Sequence, residues 1–310
     1  MLCAGGAYTL WGLFPIYWRA LGGVPLGLTL AHRVVWSLAA VAACLALLGR
    51  MPAFFRTLGD RRKLGVLAVS SLLIGGNWSM YIYAVYSHQV VQASLGYYIT
   101  PLMNVALGVA VLRERLTRLQ QAAVALAGVG VLVLGWQHGE FPWLALGMAM
   151  SFTAYGFLKK RLAVDALAGL GAETLLLAPL AALYLGWLAA RSGPPTDFFP
   201  APPAVWLLLG SGPVTLAPLL FFNAAARRLR LTTMGFIQYL SPSIQLVLAV
   251  AVFHEPFSAL HWAAFGCIWT ALALYSAQSL TPRASPPDPA GLPAQGESGG
   301  LRAARGGPGR

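Results

Sequence analysis

Three ionisable side chains interrupt the long apolar stretches of this sequence, and they are its clearest candidates for chemistry. His32 and Arg33 are neighbours in one such stretch, and Glu173 lies inside another. A charge at the centre of a membrane-spanning helix costs about 2.5–3.5 kcal/mol on insertion scales, so each one needs a role. We interpret Glu173 as a proton-exchanging group, and His32 with Arg33 as a substrate guide or outer gate. Alternatively, all three reach toward helix ends and pair there with backbone groups.

Polar and aromatic residues cluster near two prolines, Pro101 and Pro242, which lie in apolar stretches. A proline removes a backbone donor and can kink its helix, and such breaks can line a cavity between membrane helices. We therefore predict a substrate cavity beside two helix kinks. Together with His32 and Arg33, its predicted lining is Trp11, Trp36, Asn77, Trp78, Tyr81, Tyr97, Tyr98, Asn104, Gln238, Tyr239 and Gln245. The amides could instead tie helices together, and the aromatic rings could form interfacial belts.

Two further carboxylates, Glu114 and Glu255, lie between apolar stretches. Each comes just before a residue that can cap the next helix, and Thr117-x-x-Gln120 has the pattern of a capping box. We predict that both glutamates have structural roles in turns. A proton relay is the alternative.

Enzyme signatures are missing from the sequence. It contains no H-E-x-x-H, no G-x-S-x-G, no Cys/His metal spacing and no Walker-type phosphate loop. Cys3, Cys44 and Cys267 are isolated in apolar stretches and are expected to be packing residues. We therefore expect no metal, no cofactor and no catalysis, and any transport must be secondary.

The composition predicts an all-α integral membrane protein. Hydrophobic residues make up 58% of the 310 residues and charged residues only 10%, against about 25% charge in soluble domains. Ten apolar segments approach the roughly 20 residues that a spanning helix needs. They are 2–21, 27–48, 64–86, 92–112, 119–136, 142–158, 169–190, 203–222, 232–253 and 260–279.

The basic residues predict the orientation of these segments. Alternate loops and the C-terminal tail hold 18 of the 21 lysines and arginines. The positive-inside rule places those loops and both termini in the cytoplasm. The net charge of +12 is spread over short clusters without a continuous stripe, so we do not expect nucleic acid as a partner.

An internal duplication organises the chain. Residues 98–123 match residues 239–264 without a gap, at an offset of 141, with ten of 26 positions identical. Five predicted helices per copy is an odd number, so the second copy should be inverted in the membrane. The loop charges agree, because Arg113, Arg115 and Arg118 are replaced by His254, Pro256 and Ala259. We predict two inverted five-helix repeats, at 1–136 and 142–280.

Two other features bear on partners. Residues 281–310 contain six prolines and seven glycines, which predicts a disordered cytoplasmic tail whose arginines could touch anionic lipid. Gly128, Gly130 and Gly135 predict close helix packing, with a homodimer as the alternative.

Several strings resemble the RarD branch of the EamA-type permeases, which belong to the drug/metabolite transporter superfamily. They are L-W-G-L-F-P-I-Y-W at 10–18, A-H-R-V-V-W-S at 31–37, I-G-G-N-W at 74–78, A-S-L-G-Y at 93–97, P-L-M-N at 101–104, E-T at 173–174, A-A-A-R-R-L-R-L at 224–231 and G-F-I-Q-Y at 235–239. The resemblance covers about residues 4–279. It implies ten helices in inverted repeats and a permease of the bacterial inner membrane.

Together, these observations predict a secondary transporter that exports a small metabolite or drug by alternating access, with protons as the coupling ion. Facilitated exchange is the alternative within this class. An enzyme embedded in the membrane, using Glu173 and His32, is the alternative outside it.

Overall fold

The computed structural model describes residues 1–113, 116–138, 142–162, 164–191, 203–226, 228–229, 234 and 237–280, and within them it contains helices but no strand. The helices are α1 (Leu2–Arg19), α2 (Leu26–Leu47), α3 (Met51–Gly59), α4 (Arg61–Tyr86), α5 (Val90–Leu112), α6 (Arg118–His138), α7 (Trp143–Leu162), α8 (Ala166–Arg191), α9 (Ala204–Ala226), α10 (Leu240–Val247, continued by a π-helical turn at Leu248–Val252) and α11 (Ala259–Leu280). Glu114 and residues 281–310 lie outside the described part of the chain, so the predictions for them stay predictions.

The helices follow the predicted apolar segments closely, with two differences. Helix α3 was not predicted; it begins with a proline in its first turn, where the missing N–H costs no hydrogen bond. Helix α10 begins at Leu240, later than the predicted segment 232–253, so Pro242 lies in its first turn rather than in mid-helix. Pro101, in contrast, lies inside α5.

Apolar helices of spanning length are present. Within the described residues, α2, α4, α8 and α9 are long and apolar enough to cross a membrane by length and composition. An all-helical chain with several such helices fits an integral membrane protein. The number of ten spans stays a prediction.

Helix packing follows a regular scheme. Helix α1 packs against α9 and α10, and α7 packs against α4 and α5. Helix α2 contacts both α8 and α9, and α4 contacts α8. The remaining large pairs are α5 with α10 and α6 with α11. The 141-residue offset relates α1 to α7, α2 to α8, α4 to α9, α5 to α10 and α6 to α11. When each helix is exchanged for its equivalent, the pairs α2–α8, α5–α10 and α6–α11 map onto themselves, and each of the other pairs becomes another pair in the scheme.

Glycine lets several of these pairs approach closely. An ideal Cβ on Gly130 of α6 would lie 2.9 Å from the Ala264 carbonyl oxygen of α11. On Gly96 of α5 it would lie 2.7 Å from the Ala145 carbonyl oxygen of α7. Real Cβ atoms do not come so near a backbone oxygen, so alanine at either position would push the helices apart. Gly128 has open space around it, and Gly130 is the residue that serves the α6–α11 contact.

Local hydrogen bonds fix where helices begin. The predicted capping box is present: the Gln120 amide donates to Thr117 Oγ1 at 3.3 Å, and the Thr117 amide donates to Gln120 Oε1 at 3.1 Å. Asp60 accepts from the amides of Arg62 and Lys63 at the start of α4. Asp165 does the same for Leu167 and Ala168 at the start of α8.

Candidate functional site

Glu173 lies in α8, which packs against α2 and α4, and its side chain is fully buried. It follows the first residue of α8 by seven positions, about 10 Å along the helix axis. Three side chains from two neighbouring helices surround its carboxylate. Ser70 of α4 donates to Oε1 at 2.7 Å, and Tyr155 of α7 donates to Oε2 at 3.2 Å. The Lys159 ammonium of α7 lies 3.1 Å from Oε1.

This arrangement makes Glu173 part of a buried ion pair. The Lys159 side chain is only 20% exposed, and its ammonium lies 5.6 Å from the centroid of the Tyr155 ring. Gly169 provides room for it, because a Cβ there would collide with Lys159 Nζ. The carboxylate is therefore neutralised by side chains within the bundle rather than by reaching a helix end. Ser70, Tyr155 and Lys159 were not among the predicted site residues.

Arg33 is held by aromatic rings. It is 3% exposed, and its Cζ lies 4.7 Å from the Trp18 ring centroid and 4.2 Å from that of Trp78. Tyr17, Tyr81 and Tyr97 are close enough to interact electrostatically with the guanidinium. Of these five rings, Trp78, Tyr81 and Tyr97 belong to the predicted cavity lining. We call Arg33 with Trp18, Trp78, Tyr81 and Tyr97 the arginine cluster.

His32 has different surroundings from its neighbour Arg33. It is 5% exposed, and the indole Nε1 of Trp36 donates to its Nδ1 at 3.1 Å, one turn further along α2. Successive residues of a helix point about 100° apart. The bonds that hold Glu173 come from Ser70, Tyr155 and Lys159, so His32 is not among its partners.

The predicted amides divide between helix contacts and an exposed position. Asn77 Nδ2 lies 3.0 Å from both the Met148 carbonyl oxygen and Ser151 Oγ, and so ties α4 to α7. Gln245 Nε2 donates to the Trp11 carbonyl oxygen at 3.2 Å and ties α10 to α1. Asn104 is exposed. For Asn77 and Gln245, the contacts are those of residues that hold helices together.

Two equivalent tyrosines of the duplication meet each other. The rings of Tyr98 and Tyr239 stack with their centroids 6.2 Å apart and an interplanar angle of 16°. The Tyr98 hydroxyl lies 2.6 Å from Ser243 Oγ. Gln238 is partly buried in the turn just before α10. The two halves of the duplication are therefore in contact at matching positions.

The remaining predicted aromatic residues lie at two places. Tyr97 packs against Tyr81 and Phe152, with ring centroids 5.9 and 6.0 Å away. Trp11 packs against Tyr8 and Phe222, with centroids 5.4 and 5.8 Å away. Tyr97 and Trp11 thus lie apart, Tyr97 in the arginine cluster and Trp11 where α1 contacts α9.

Glu255 forms a link between segments far apart in the chain. Its carboxylate accepts hydrogen bonds from the Val90 amide at 2.9 Å and the Val91 amide at 2.8 Å. It therefore caps the N-terminus of α5 from the segment that joins α10 to α11. Burial raises the pKa of the Glu255 carboxyl above its ordinary value, and the two amide hydrogen bonds act in the opposite direction. The expected structural role was assigned to its own turn, whereas this cap lies on another helix.

Metal ligands do not cluster in the described part of the chain. No group of three or more histidine, cysteine, aspartate and glutamate side chains there could hold an ion.

Several known proteins similar to this chain are named as transporters. The sequence pattern of the EamA-like transporter family matches residues 1–136. An uncharacterized transporter of Pseudomonas aeruginosa is 45% identical over 271 residues, which cover 87% of this chain and 90% of that protein. Protein RarD of Salmonella typhimurium is 43% identical over 277 residues, covering 89% and 93% respectively.

A more distant relative and a solved structure extend the comparison. A chloramphenicol-sensitive protein RarD of Pseudomonas aeruginosa is 32% identical over 249 residues, covering 79% of this chain and 82% of that protein. A crystal structure of another protein, 21% identical in sequence, superposes with a TM-score of 0.58 and covers 89% of this chain and 96% of its own. That likeness concerns the fold alone.

Proposed function

The chain belongs to the EamA family of transporters, in its RarD-type branch, and from this premise we propose that it exports a small metabolite or drug in exchange for protons. Family and apolar helices together make it a multi-pass membrane transporter of the bacterial inner membrane. The direction of transport, the coupling ion and the mechanism are the proposed parts.

Two inverted halves of five spanning helices are the proposed architecture, with both termini in the cytoplasm. The pairing scheme supports the duplication, because the 141-residue offset exchanges the α1 contacts for those of α7. The stacking of Tyr98 on Tyr239 supports it at the level of side chains. An alternating-access carrier needs two such halves that can rock about a shared interface.

The buried pair of Glu173 and Lys159 carries the proposal of proton coupling. In its charged state the carboxylate binds groups on α4 and α7 while it belongs to α8. A proton on Glu173 removes its negative charge and weakens the attraction to Lys159. Protonation therefore loosens the connection between three helices, which is how a proton gradient could drive a conformational change.

A membrane-embedded enzyme is the competing function. Catalysis by Glu173 and His32 would need both groups at one substrate, yet the bonds of Glu173 are made with Ser70, Tyr155 and Lys159. The family and the relatives named as transporters also favour transport over catalysis.

The test uses purified protein in proteoliposomes. A thermal-shift screen with amino acids, their derivatives and chloramphenicol first identifies a ligand. Uptake of that radiolabelled ligand is then measured with an imposed pH gradient and, separately, as counterflow at equal pH. We expect the wild type to do both, and Glu173→Gln to lose pH-driven uphill transport while it retains counterflow.

Asp60→Asn is the matched control, because Asp60 is an exposed carboxylate and asparagine also caps helices well. It should keep both activities. Uphill transport that persists in Glu173→Gln would assign coupling to another group, and wild-type counterflow without any pH-driven transport would indicate facilitated exchange. Recovery of a chemically altered ligand would favour the enzyme.

A further inference from the structure

The arginine cluster contains several buried polar atoms without a hydrogen-bond partner. They are Nε and Nη1 of Arg33, Nε1 of Trp18 and the hydroxyl of Tyr81. All three residues are less than 4% exposed. Guanidinium and indole nitrogens only donate, and a tyrosine hydroxyl can donate. The cluster therefore offers hydrogen-bond donors that have no acceptor among the described residues.

The charge of Arg33 also has no counter-ion in the described part of the chain. That part contains four carboxylates, and each has other partners. Asp60 pairs with Lys63, Asp165 with Arg50, Glu173 with Lys159, and Glu255 with two backbone amides. A buried cation is normally paired with an anion or neutralised, because charge is poorly solvated in an apolar interior.

The aromatic rings only partly compensate for this. Trp18 and Trp78 attract the cation through their π faces. A ring face accepts no strong hydrogen bond from the guanidinium nitrogens, so the N–H edges stay unsatisfied. The rings thus hold the guanidinium in place and leave its donors free for a ligand.

We propose that the arginine cluster binds the carboxylate group of the transported molecule, and this step rests on the proposed transport function. A carboxylate accepts two or more hydrogen bonds and is the usual planar partner of a guanidinium. The rest of the transported molecule would lie against the indole and phenol rings of the cluster. The substrate class is therefore an organic acid with an apolar or aromatic body.

Charge balance selects among anions. The cluster has one cation and otherwise neutral donors, so a single negative charge gives a neutral complex. A phosphate or phosphonate dianion would leave one charge uncompensated within the membrane. A zwitterionic amino acid would bring an ammonium group for which the cluster has no carboxylate. Monocarboxylates are the class that fits.

The test measures binding to the purified full-length protein in detergent, by calorimetry and by thermal shift. The probes are benzoate, its neutral isostere benzamide, benzylamine and phenylphosphonate. We expect benzoate to bind at least about tenfold more tightly than benzamide, the difference made by roughly one charge-assisted hydrogen bond. Benzylamine and phenylphosphonate should bind more weakly than benzoate.

Two variants assign the preference to the cluster. Arg33→Met should abolish the preference of benzoate over benzamide and raise the melting temperature of the protein without ligand, because it removes an unpaired buried charge. Arg19→Met is the matched control, since Arg19 already has a partner in His88 at 2.7 Å, and it should retain the preference. Tyr81→Phe removes one hydroxyl, and it should weaken benzoate several-fold while leaving benzamide unchanged.

Several results would overturn the proposal. Equal binding of benzoate and benzamide, or no binding of benzoate, would mean that the donors are satisfied by water only. If phenylphosphonate binds more tightly than benzoate, the site is selective for dianions. If Arg33→Met still prefers benzoate over benzamide, the carboxylate is recognised elsewhere in the protein. Because the assay needs no proton gradient, a failure here leaves proton-driven transport standing, and a failure of transport leaves carboxylate binding standing.

Discussion

Glu173 and Arg33 are buried charges in two helices that the 141-residue offset relates, α8 and α2, and their surroundings are opposite. At that offset Glu173 corresponds to His32, the neighbour of Arg33. Each follows the first residue of its helix, α8 or α2, by seven positions. Glu173 has a counter-ion and two hydroxyl donors. Arg33 has aromatic neighbours and unsatisfied nitrogens. Two related helices therefore each carry a buried charge, and the protein stabilises the two charges in different ways.

The difference separates two roles for a charge within a membrane protein. A charge that the protein itself neutralises can change its state when a proton arrives, and no ligand is needed for its stability. A charge that the protein leaves without a counter-ion is stabilised only when a ligand supplies one. In the proposed transporter, the first suits coupling and the second suits recognition of a substrate.

The largest expected effect comes from removing the partner of the neutralised charge. Lys159→Met leaves the Glu173 carboxylate buried without its cation. We expect it to lower the free energy of unfolding, measured by titration with a denaturing detergent, by about 3 kcal/mol. Arg33→Met should instead raise the free energy of unfolding, because it removes a buried charge that has no counter-ion in the described part of the chain. Opposite signs for the two substitutions are the most direct test of the comparison.

A double substitution controls for the loss of lysine packing. Lys159→Met combined with Glu173→Gln removes both charges, so most of the stability should return. If the double variant is as unstable as Lys159→Met alone, the lysine acts through packing, and the contrast with Arg33 disappears.

A smaller effect is expected from crowding the lysine without removing it. In Gly169→Ala, the new methyl group would collide with Lys159 Nζ and push the ammonium away from Glu173. We expect a loss of about 1–2 kcal/mol in the free energy of unfolding. The loss should shrink in a Glu173→Gln background, because the pair is already broken there.

Gly186→Ala is the matched control for that substitution. It lies in the same helix with open space around it, so alanine should stabilise the helix by up to about 1 kcal/mol. Equal effects of the two substitutions would show that Gly169 serves the helix backbone rather than the ion pair.

The smallest effect concerns the rings that hold Arg33. A double-mutant cycle of Trp78→Phe with Arg33→Met should give a coupling energy of about 1 kcal/mol. The same cycle for Trp187 and Arg191, whose ring and guanidinium carbon are 4.8 Å apart at the exposed end of α8, should give about half of that or less. If the two coupling energies are equal, burial does not strengthen the attraction between Arg33 and its rings.

Periodic and compositional features could be predicted from the sequence. The apolar runs and the 141-residue offset predicted most helices to within a few residues, because a spanning helix needs a fixed length of apolar residues. The capping box at Thr117 and Gln120 was likewise readable, since it depends on neighbouring residues. The nine-residue helix α3 was missed, because it is too short to give a spanning signal.

Partners from distant parts of the chain could not be predicted in the same way. Ser70 is 103 positions from Glu173 in the sequence, and nothing in its local context distinguishes it from Ser71. Lys159 lies just beyond the predicted apolar segment 142–158, but α7 continues to Leu162 and the lysine side chain contacts Glu173. Asn77 was predicted to line a cavity because it is an amide within an apolar stretch. Its hydrogen bonds to Met148 and Ser151, which are distant in sequence, show that it joins two helices instead.

The cap that Glu255 places on α5 has a mechanical consequence. At the same corner, Arg19 at the end of α1 lies 2.7 Å from His88 Nδ1 and 4.4 Å from the centre of the Phe253 ring. Separating α5 from the segment that holds Glu255 would leave the Val90 and Val91 amides and the Glu255 carboxylate without their hydrogen bonds. The end of α1, the start of α5 and the segment between α10 and α11 should therefore move together as one rigid body. An opening for substrate on that side of the protein must then form at another helix interface.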